Sequence, residues 1–399
     1  MLPIPEPGQE VQWVAQHLGH LCSDDARRSE RFVGTQAAAG AALTALDLTG
    51  YAERRNEVLP LDRRGASGLS PWIRHGLLTL PRVFKVATGP SKDVQKFRDE
   101  LRWQEYARHL YARLGRATDS PLRNAPVVRS TNDVEPWDRS MRCINVNLDE
   151  LENDGWLVNQ TRMWLASQWS VRNGADWRVG EQYFFTHLLD GSRAANRLGW
   201  QWTTGAGSSK VYGFSQSQVR RRAPELCDSC DHRDACPIRE WPDEPELVSV
   251  ERDDRLRHDP DPEMTAGPKK VEQSSSPEAV WLTAESLGDD DPALAAHPDL
   301  PVIFVFDEAL LRTLQLSSKR LVFLTDRLAE LGAERSIEIH LGDPRKVLAG
   351  RPVATTFAPV PGWRRRADSL VLAEIHPWPW LKRPGSGSIA SFSAWSNRR

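Results

Sequence analysis

The chain has 399 residues, of which 40% are hydrophobic and 27% are charged, so it is long enough for two or three globular domains. Its formal net charge of −2 excludes a uniformly basic nucleic-acid coat but not a local basic groove. No run of about 18 uncharged apolar residues occurs, so we expect no membrane span. The N-terminal residues lack the basic and apolar stretches of a signal peptide, which predicts a cytoplasmic location.

The first part of the chain, residues 1–240, is predicted to be mostly helical. Residues 97–113 carry apolar side chains at helical spacing without Gly or Pro, and residues 157–171 and 180–198 also show helical spacing. Residues 241–277 are instead rich in Pro, Asp, Glu and Ser. Because few apolar groups are available there to offset the entropy of ordering, the sequence predicts an acidic flexible linker over 241–277.

The last part of the chain, residues 278–399, has the pattern of a small α/β domain. Short apolar runs typical of buried strands alternate with two helical segments. The predicted strands are 279–283, 301–306, 336–340 and 352–357, and the predicted helices are 318–331 and 343–348. Strand–helix–strand alternation favours a parallel sheet. The predicted fold is therefore an α-helical domain followed by a small, Rossmann-like α/β domain.

Five cysteines are too few for a disulfide scaffold in a chain of this length, but three of them crowd together. Cys227 and Cys230 form a C-x2-C pair, and Cys236 follows six positions later. Such a pair lets two thiolates meet one metal ion or one corner of a cluster. The candidates for a fourth ligand are Cys143 first, then Cys22 or His232. Zinc and an iron–sulfur cluster both fit this spacing, and three reduced, unligated cysteines are the alternative.

Several longer stretches carry a family signature. They are GYAERRN at 50–56, GASGLSPWIRHG at 65–76, ELRWQEYARHL at 100–110, NQTRM at 159–163 and LDGSRAANRLGWQW at 189–202. In order and spacing they resemble the helical FAD-binding domain of the photolyase/cryptochrome family over residues 35–240. The resemblance implies an FAD cofactor in the helical domain.

The resemblance assigns to FAD binding the residues Tyr51, Ser67, Leu69, Ser70, Arg162, Asp190 and Asn196. Ser67 and Ser70 lie in a small-residue loop that enters a helix, where free N–H groups and hydroxyls suit a pyrophosphate. Arg162 and Asp190 match an ion pair that lies against the isoalloxazine ring, and Asn196 matches the residue beside flavin N5. Without the resemblance, Arg162 and Asp190 would be taken for an ordinary interhelical salt bridge.

A second set of residues matches the pocket that receives a flipped-out pyrimidine dimer, namely Glu100, Trp103, Asn159, Met163 and Trp202. Trp103 and Trp202 offer flat faces for stacking, worth about 1–3 kcal/mol per base. Glu100 matches the carboxylate that binds the pyrimidine edge. Members of the family that repair (6-4) lesions carry a catalytic His where this chain has Asn159, so the resemblance favours cyclobutane dimers and DNA containing them as the partner.

Three tryptophans match or extend the family's electron-transfer chain to the flavin. Trp200 and Trp177 match its first two members, and Trp137 is a candidate third member. Structural packing of these indoles in the core is the alternative.

The cysteine motif resembles that of the bacterial iron–sulfur branch of the family, which uses one further Cys upstream of the Asn/His position. Cys143, Cys227, Cys230 and Cys236 are therefore the expected ligands, and a 4Fe-4S cluster is favoured over Zn. The gap from Cys230 to Cys236 is shorter than in that branch, and the GWQW tryptophans belong to the conventional branch.

The order of the two domains departs from the family, in which the α/β antenna domain precedes the FAD domain. Here the antenna-like residues 278–399 follow the helical domain, which predicts a circular permutation with 241–277 as the new connection. The antenna domain is short, and its pigment cannot be assigned.

The function expected from these features is light-dependent repair of cyclobutane pyrimidine dimers by electron transfer from excited, reduced FAD. The alternatives are a cryptochrome-like blue-light photoreceptor without repair activity and a non-photochemical DNA-binding protein with a zinc knot. We expect a monomer in the cytoplasm of a prokaryote.

Overall fold

The computed structural model describes residues 1–129 and 136–396. A helical half precedes a half that is built around a parallel β-sheet, which confirms the fold class predicted from the sequence. The helices are α1 Glu10–His17, α2 Gln36–Thr44, α3 Tyr51–Arg54, α4 Ser70–Arg74, α5 Leu80–Val86, α6 Ser91–Leu114, α7 Arg142–Asp154, α8 Asn159–Ala166, α9 Trp177–His187, α10 Ala195–Thr204, α11 Gln216–Arg222, α12 Pro224–Asp228, α13 Pro262–Ala266, α14 Pro292–Ala296, α15 Glu308–Leu314, α16 Ser318–Glu334, α17 Pro344–Val347, α18 Pro361–Ala367 and α19 Phe392–Ser396. The strands are β1 Asn124–Pro126, β2 Leu247–Ser249, β3 Glu272–Gln273, β4 Ala279–Leu282, β5 Val302–Asp307, β6 Ile337–Gly342, β7 Val353–Thr356 and β8 Leu372–His376.

Helix α6 is the longest described helix of the helical half. Its 24 residues contain no Gly or Pro, and it buries Phe97, Leu101 and Leu110 on the side that faces the core. It ends at Gly115, whose φ of 56° is a conformation that side chains with a Cβ rarely adopt. Helix α6 therefore places its residues Glu100 and Trp103 at fixed positions on one long, rigid element.

The helical pattern at residues 180–198 is divided between two helices. Helix α9 ends at His187, and α10 begins at Ala195. The turn between them contains Asp190 and Gly191. The residues predicted as one helix over 157–171 likewise form α8 followed by a π-helical turn, Ser167–Arg172. Periodicity predicted the helices, but it did not predict the turn that carries Asp190.

The sheet has the strand order β3-β8-β7-β4-β5-β6. Strands β4 to β8 run parallel, and β3 pairs with β8 in the antiparallel sense. The four predicted strands correspond to β4, β5, β6 and β7, whereas β8 was not predicted. The chain runs outward from β4 through β5 and β6 and then returns to β7 on the other side of β4. Ligands of such sheets bind at this switch point, outside the carboxyl ends of the strands.

Residues 241–277, for which the composition predicts a flexible linker, form local structure instead. Strand β2 pairs with β1 of the helical half, and β3 pairs with the edge of the main sheet. Asp259 is buried and forms an ion pair with Arg113 of α6 at 2.9 Å. These contacts involve partners far away in the sequence, which composition does not report.

The two halves share one hydrophobic cluster, which includes Phe97 and Trp156 from the helical half and Leu282, Phe304 and Leu324 from the sheet half. Helix α16 lies at this boundary, and nearly all of its residues are buried. Among the described residues, no helix combines the length and the apolar character needed to cross a membrane.

Because α16 is packed from both sides, we expect the two halves to unfold together. Phe323 of α16 is 1% exposed, and its ring lies 5.5 Å from that of His75 in the helical half. Phe323→Ala is expected to lower the free energy of unfolding by about 3–5 kcal/mol. Urea unfolding followed by circular dichroism and by tryptophan fluorescence should show one coincident, shifted transition.

The matched control is Leu310→Ala on α15, because Leu310 is 40% exposed. This substitution should change stability by no more than about 0.5 kcal/mol. Two separate transitions in the Phe323→Ala protein, of which only one moves, would contradict the shared core.

Candidate functional site

Three segments that are distant in sequence meet at the turn between α9 and α10. The backbone N–H of Leu189 donates to the carbonyl of Gly155 at 2.8 Å. The Nε2 atom of His75 lies 3.1 Å from the carbonyl oxygen of Leu189, and Arg74 Nε donates to the carbonyl of Gly191 at 3.1 Å. Helix α4, the end of α7 and this turn therefore surround one place in the helical half.

Arg162 of α8 and Asp190 of the turn form a two-pronged ion pair. Arg162 Nη1 donates to Oδ1 of Asp190 at 3.1 Å, and Nη2 donates to Oδ2 at 2.8 Å. Arg162 Nε also donates to the carbonyl of Leu157 at 3.0 Å. These bonds fix the plane of the guanidinium group. The side chains of Arg162 and Asp190 are 22% and 7% exposed, so the pair is reached from one side. The ion pair is present, and its contact with a flavin stays a prediction.

Asn196 is held in place by a buried carboxylate. Its side-chain amide donates to Oε1 of Glu181 at 2.9 Å and to the Glu181 carbonyl at 3.1 Å. Glu181 in turn pairs with Arg193 at 2.5 Å and with Arg197 at 3.5 Å. Burial raises the pKa of Glu181, and the two arginines oppose that rise. Sequence reasoning did not assign Glu181 a role, because a carboxylate shows its function only through its partners.

The small-residue loop before α4 lies beside a cation that the sequence analysis missed. Gly68 has a φ of 69°, and a Cβ at this position would lie 3.5 Å from Nη2 of Arg31. The Arg31 guanidinium also lies 4.5 Å from the ring centroid of Trp156. Ser70 Oγ accepts a hydrogen bond from Trp156 Nε1 at 2.9 Å. The loop thus combines a hydroxyl, a permissive turn and an arginine, which suits an anionic group.

Three other predicted flavin residues lie near this loop or in the adjoining core. Ser67 is half-buried in the loop, whereas Leu69 is 1% exposed and belongs to the core. Tyr51 starts α3 and lies edge-on to Phe97 at 5.2 Å. Burial and the nearby Glu100 raise the pKa of Tyr51, so its phenol is neutral at physiological pH.

The sheet half also contributes charged side chains to this region. Arg74 forms a forked ion pair with Glu285, at 2.7 and 2.8 Å. Arg320 of α16 donates to the carbonyl of Gly191, while its buried Nε atom has no hydrogen-bond partner among the described residues. Burial, together with Arg74 and Arg193, lowers the pKa of Arg320 to about 9. A buried, incompletely bonded arginine beside other arginines is a favourable environment for an anionic ligand.

The five residues predicted to line a lesion pocket are carried by three neighbouring helices. Helix α10 packs against both α6 and α8. The residues are Glu100 and Trp103 on α6, Asn159 and Met163 on α8, and Trp202 on α10. Each keeps part of its surface accessible, and Trp202 is 43% exposed. Glu100 lies 3.3 Å from Arg55 Nε and 2.8 Å from Lys96 Nζ, so its carboxylate is oriented by two cations.

One face of Trp103 is covered by the C-terminal part of the chain. The ring of Phe392 stacks on Trp103 with 4.0 Å between centroids and 8° between planes. Trp395 Nε1 donates to Nδ1 of His109 at 2.9 Å, and Tyr106 donates to the Ile389 carbonyl at 2.8 Å. A base that stacks on this face of Trp103 must displace Phe392.

Glu105 on α6 helps to hold this C-terminal segment. Its Oε1 accepts the backbone N–H of Lys382 at 3.0 Å, whereas its buried Oε2 lies 3.9 Å from Arg108 Nη1 and accepts no hydrogen bond from the described residues. Burial raises the pKa of Glu105 to about 7, although the positive charge of Arg108 lowers it in part. The carboxyl group is therefore partly protonated near neutral pH.

The three predicted electron-transfer tryptophans are all buried, with Trp200 at 2%, Trp177 at 4% and Trp137 at 3% exposure. Trp137 lies 4.5 Å from Trp169 between ring centroids, and Trp169 and Trp200 both lie against Gly180. Within the described residues, Trp177 forms no ring pair with Trp200. Trp169, which the sequence analysis missed, therefore lies between Trp137 and Trp200.

The structure brings the four predicted cysteine ligands around one small cavity. Cys143 comes from α7, and Cys227, Cys230 and Cys236 come from α12 and the loop after it. Burial first, and then the three neighbouring cysteines, raise the pKa of Cys143 to about 12. His232 also lines the cavity, whereas the Cys22 thiol donates to the Leu18 carbonyl at another site.

Residues 97–267 match the family described as the FAD binding domain of DNA photolyase. The deoxyribodipyrimidine photo-lyase of Synechococcus is 26% identical over 191 residues, which are 41% of this chain and 40% of the relative. That of Vibrio cholerae is 31% identical over 160 residues, which are 36% of this chain and 34% of the relative. A Synechocystis cryptochrome structure is similar with 24% identity, a TM-score of 0.43 and coverage of 50% of this chain and 45% of that one.

These matches define a helical flavin-binding class of domain, and they extend over α6, α8 and α10. Residues 97–267 are thus similar to the FAD-binding domain of the photolyases, and the matched relatives are photo-lyases. It spans about two fifths of the length of the curated relatives that it matches, at 40% and 34% for the first two.

The raised pKa of Glu105 predicts a pH-dependent stability. The folded protein retains a proton that the unfolded chain releases above its ordinary pKa of 4.5, so stability falls as pH rises from 4.5 to about 7. Glu105→Gln removes this titration and is expected to be more stable than the parent at pH 8, by up to about 3 kcal/mol. Urea unfolding at pH 5 and pH 8 measures the effect, and an equal pH dependence in both proteins would contradict it.

Proposed function

We propose that this protein binds FAD and uses light to repair cyclobutane pyrimidine dimers in DNA. The single observation that supports this proposal is that the five expected lesion-pocket residues are all partly accessible and lie on α6, α8 and α10, of which α10 packs against the other two. When bound and reduced, FAD supplies the light-excited electron donor.

The residues present fit such a cofactor. The Arg162–Asp190 fork and the Asn196–Glu181 pair offer fixed polar groups for the isoalloxazine edge. The loop at Ser67 and Ser70 offers small residues and a neighbouring Arg31 for the pyrophosphate. The partnerless Nε of Arg320 supports an anionic occupant nearby. Tyr51 and Leu69 complete the predicted set from the core side.

In the proposed repair reaction, the lesion pocket binds and orients the dimer. Trp103 and Trp202 stack on the flipped bases and exclude water from them. Glu100, oriented by Arg55 and Lys96, accepts a hydrogen bond from the N–H on the pyrimidine edge. Asn159 and Met163 complete the pocket from α8. Exposed arginines near α3 and α11, among them Arg63, Arg220 and Arg221, supply contacts to DNA phosphates.

We also propose that Trp200, Trp177 and Trp137 carry electrons from the surface to the flavin. The contacts of Trp169 with Trp137, and of both Trp169 and Trp200 with Gly180, add Trp169 as a relay within the same chain of indoles.

For the cysteine site we propose a 4Fe-4S cluster bound by Cys143, Cys227, Cys230 and Cys236. In a zinc tetrathiolate the sulfur atoms lie about 3.8 Å apart, as follows from a Zn–S bond of about 2.3 Å. Among the described residues, no three of these sulfur atoms lie within 4.8 Å of one another, although all four cysteines line one cavity. The wider spacing supports a cluster with several metal ions.

The proposed domain division is a helical domain over 1–240, a connection over 241–277 and an antenna-like domain over 278–399. The five parallel strands of the main sheet, from Ala279 to His376, all lie within 278–399 and support this division. We propose that this order is a circular permutation of the family's arrangement.

A blue-light photoreceptor without repair activity is the second candidate. The observation that favours it is the stacking of Phe392 on Trp103, because the aromatic ring occupies the face that a dimer base requires. Both candidates share the flavin and the tryptophans, and they differ in whether the lesion pocket opens.

The repair proposal is tested with the holoprotein and an oligonucleotide that contains cyclobutane dimers. Reduced protein should remove dimers under blue light and not in the dark. The double variant Glu100→Ala, Trp103→Ala is expected to lose at least about tenfold of this activity, since one stacking contact contributes about 1–3 kcal/mol. Asp99→Ala, which removes a neighbouring surface carboxylate paired with Arg102, is the control and should retain it. Flavin-loaded protein that leaves all dimers intact in light is the result expected of a photoreceptor.

The role of Phe392 has a separate test. Phe392→Ala uncovers the face of Trp103 and is expected to raise the affinity for dimer-containing DNA severalfold, because the base no longer competes with the phenyl ring. The matched control is Val371→Ala, an exposed apolar residue of the sheet half. Unchanged affinity in the Phe392→Ala protein would mean that this stacking does not restrict the pocket.

The cluster proposal is tested by metal analysis of anaerobically purified protein. About four iron and four sulfide ions per chain are expected. Cys236→Ser should lower the iron content, whereas Cys22→Ser should not, because Cys22 lies at another site. One zinc ion per chain without iron would refute the cluster.

A further inference from the structure

A compact group of three potential metal ligands lies in the sheet half, apart from the cysteine cavity. Glu374 and His376 are two positions apart on β8, so their side chains lie on the same face of the sheet. His297 follows directly after α14, which packs against β4, β7 and β8. One ligand atom from each of these three side chains lies within 4.8 Å of the others.

Both imidazole rings point at the same carboxylate oxygen. His297 Nε2 lies 2.6 Å from Oε2 of Glu374, and His376 Nε2 lies 2.9 Å from the same atom. The rings are 5.9 Å apart and nearly perpendicular, at 84°. Around an ion with bonds of about 2.1 Å, neighbouring ligand atoms lie about 3.0–3.4 Å apart. A small outward movement of the three groups would therefore admit an ion between them.

The charge of Glu374 also favours a cation at this place. Glu374 is 7% exposed, and within the described part of the chain its only ion-pair partners are His297 and His376. A buried carboxylate is costly unless a cation compensates its charge. No lysine or arginine of the described residues pairs with it.

A second His–Glu pair in the same sheet shows the contrast. On β6, His340 lies 3.2 Å from Glu338, but Arg351 also forms a fork with Glu338 at 2.8 and 3.0 Å. The charge of Glu338 is thereby compensated, and among the described residues this pair has no third ligand. It is the natural control for the cluster on β8.

We propose that His297, Glu374 and His376 bind one divalent transition-metal ion. Two imidazoles and one carboxylate suit Zn²⁺, Fe²⁺ or Co²⁺ and do not suit Ca²⁺ or Mg²⁺, which prefer oxygen ligands only. A set of three protein ligands leaves further positions for water. The His297 side chain is 21% exposed, so the site opens to solvent on its side. This proposal does not depend on the proposed repair function or on the cysteine cluster.

The test uses the full chain and Co²⁺ as the probe. Wild-type protein with its cysteine site occupied as isolated should bind one additional Co²⁺, with visible d–d absorption but without a thiolate charge-transfer band. Glu374→Gln keeps the shape of the side chain and is expected to weaken binding about 100-fold or more, because even supporting groups outside the ligand set are worth 10–100-fold. His297→Ala, which alters the most accessible ligand, should have the same effect.

His340→Ala on β6 is the matched control and should bind Co²⁺ like the wild type. A second readout is thermal unfolding, in which added Zn²⁺ should raise the Tm of the wild type and of His340→Ala but not that of Glu374→Gln. Binding that is unchanged in both Glu374→Gln and His297→Ala would overturn the proposal. So would a new Co²⁺ spectrum that carries only thiolate bands, since it would place the ion on the cysteines.

Discussion

The burial of α16 between the two halves is the constraint on which the rest of the structure depends. Its apolar side chains complete the core that both halves share, and several of its polar side chains bond residues of the helical half. Asp326 accepts hydrogen bonds from the backbone of Gly34 and from Arg28, both at 2.7 Å. Ser318 donates its backbone N–H to Asp24 at 2.6 Å. Because these groups are buried, each needs its partner in place, and the segment from Asp24 to Gly34 is thereby fixed along the helix.

The burial of α16 also affects the candidate site, because α16 carries Arg320. The same helix that packs on the sheet places this guanidinium against the carbonyl of Gly191, one residue from the Arg162–Asp190 fork. His75 lies between the carbonyls of Ala284 and Leu189, and so bridges the halves at the same point. The polar centre of the helical half is thus shaped by residues of the sheet half. The geometry of this candidate site therefore depends on both halves of the chain.

The accessible surface of the candidate site also depends on a segment that is distant in sequence. The C-terminal segment is anchored on α6 through Tyr106, His109 and Glu105, and it places Phe392 on Trp103. Stacking of two aromatic rings at this distance is favourable but modest in energy. The same surface accommodates both candidate functions, repair and photoreception.

The sequence by itself determined the class of fold and the positions of most of its helices and strands. Helical spacing located α6, buried-strand runs located β4 to β7, and the motifs located Arg162, Asp190 and the four clustered cysteines. Each of these signals is local, because periodicity and motif spacing depend only on residues that are close together in the sequence. Only the tertiary structure decided the contacts of Arg31, Glu181, Arg320, Phe392 and Trp169, and the grouping of His297 with Glu374 and His376. The role of a charged or aromatic side chain depends on contact partners that can be hundreds of positions away in the sequence. The packing of the whole chain brings these partners together, and no short stretch of sequence specifies that packing.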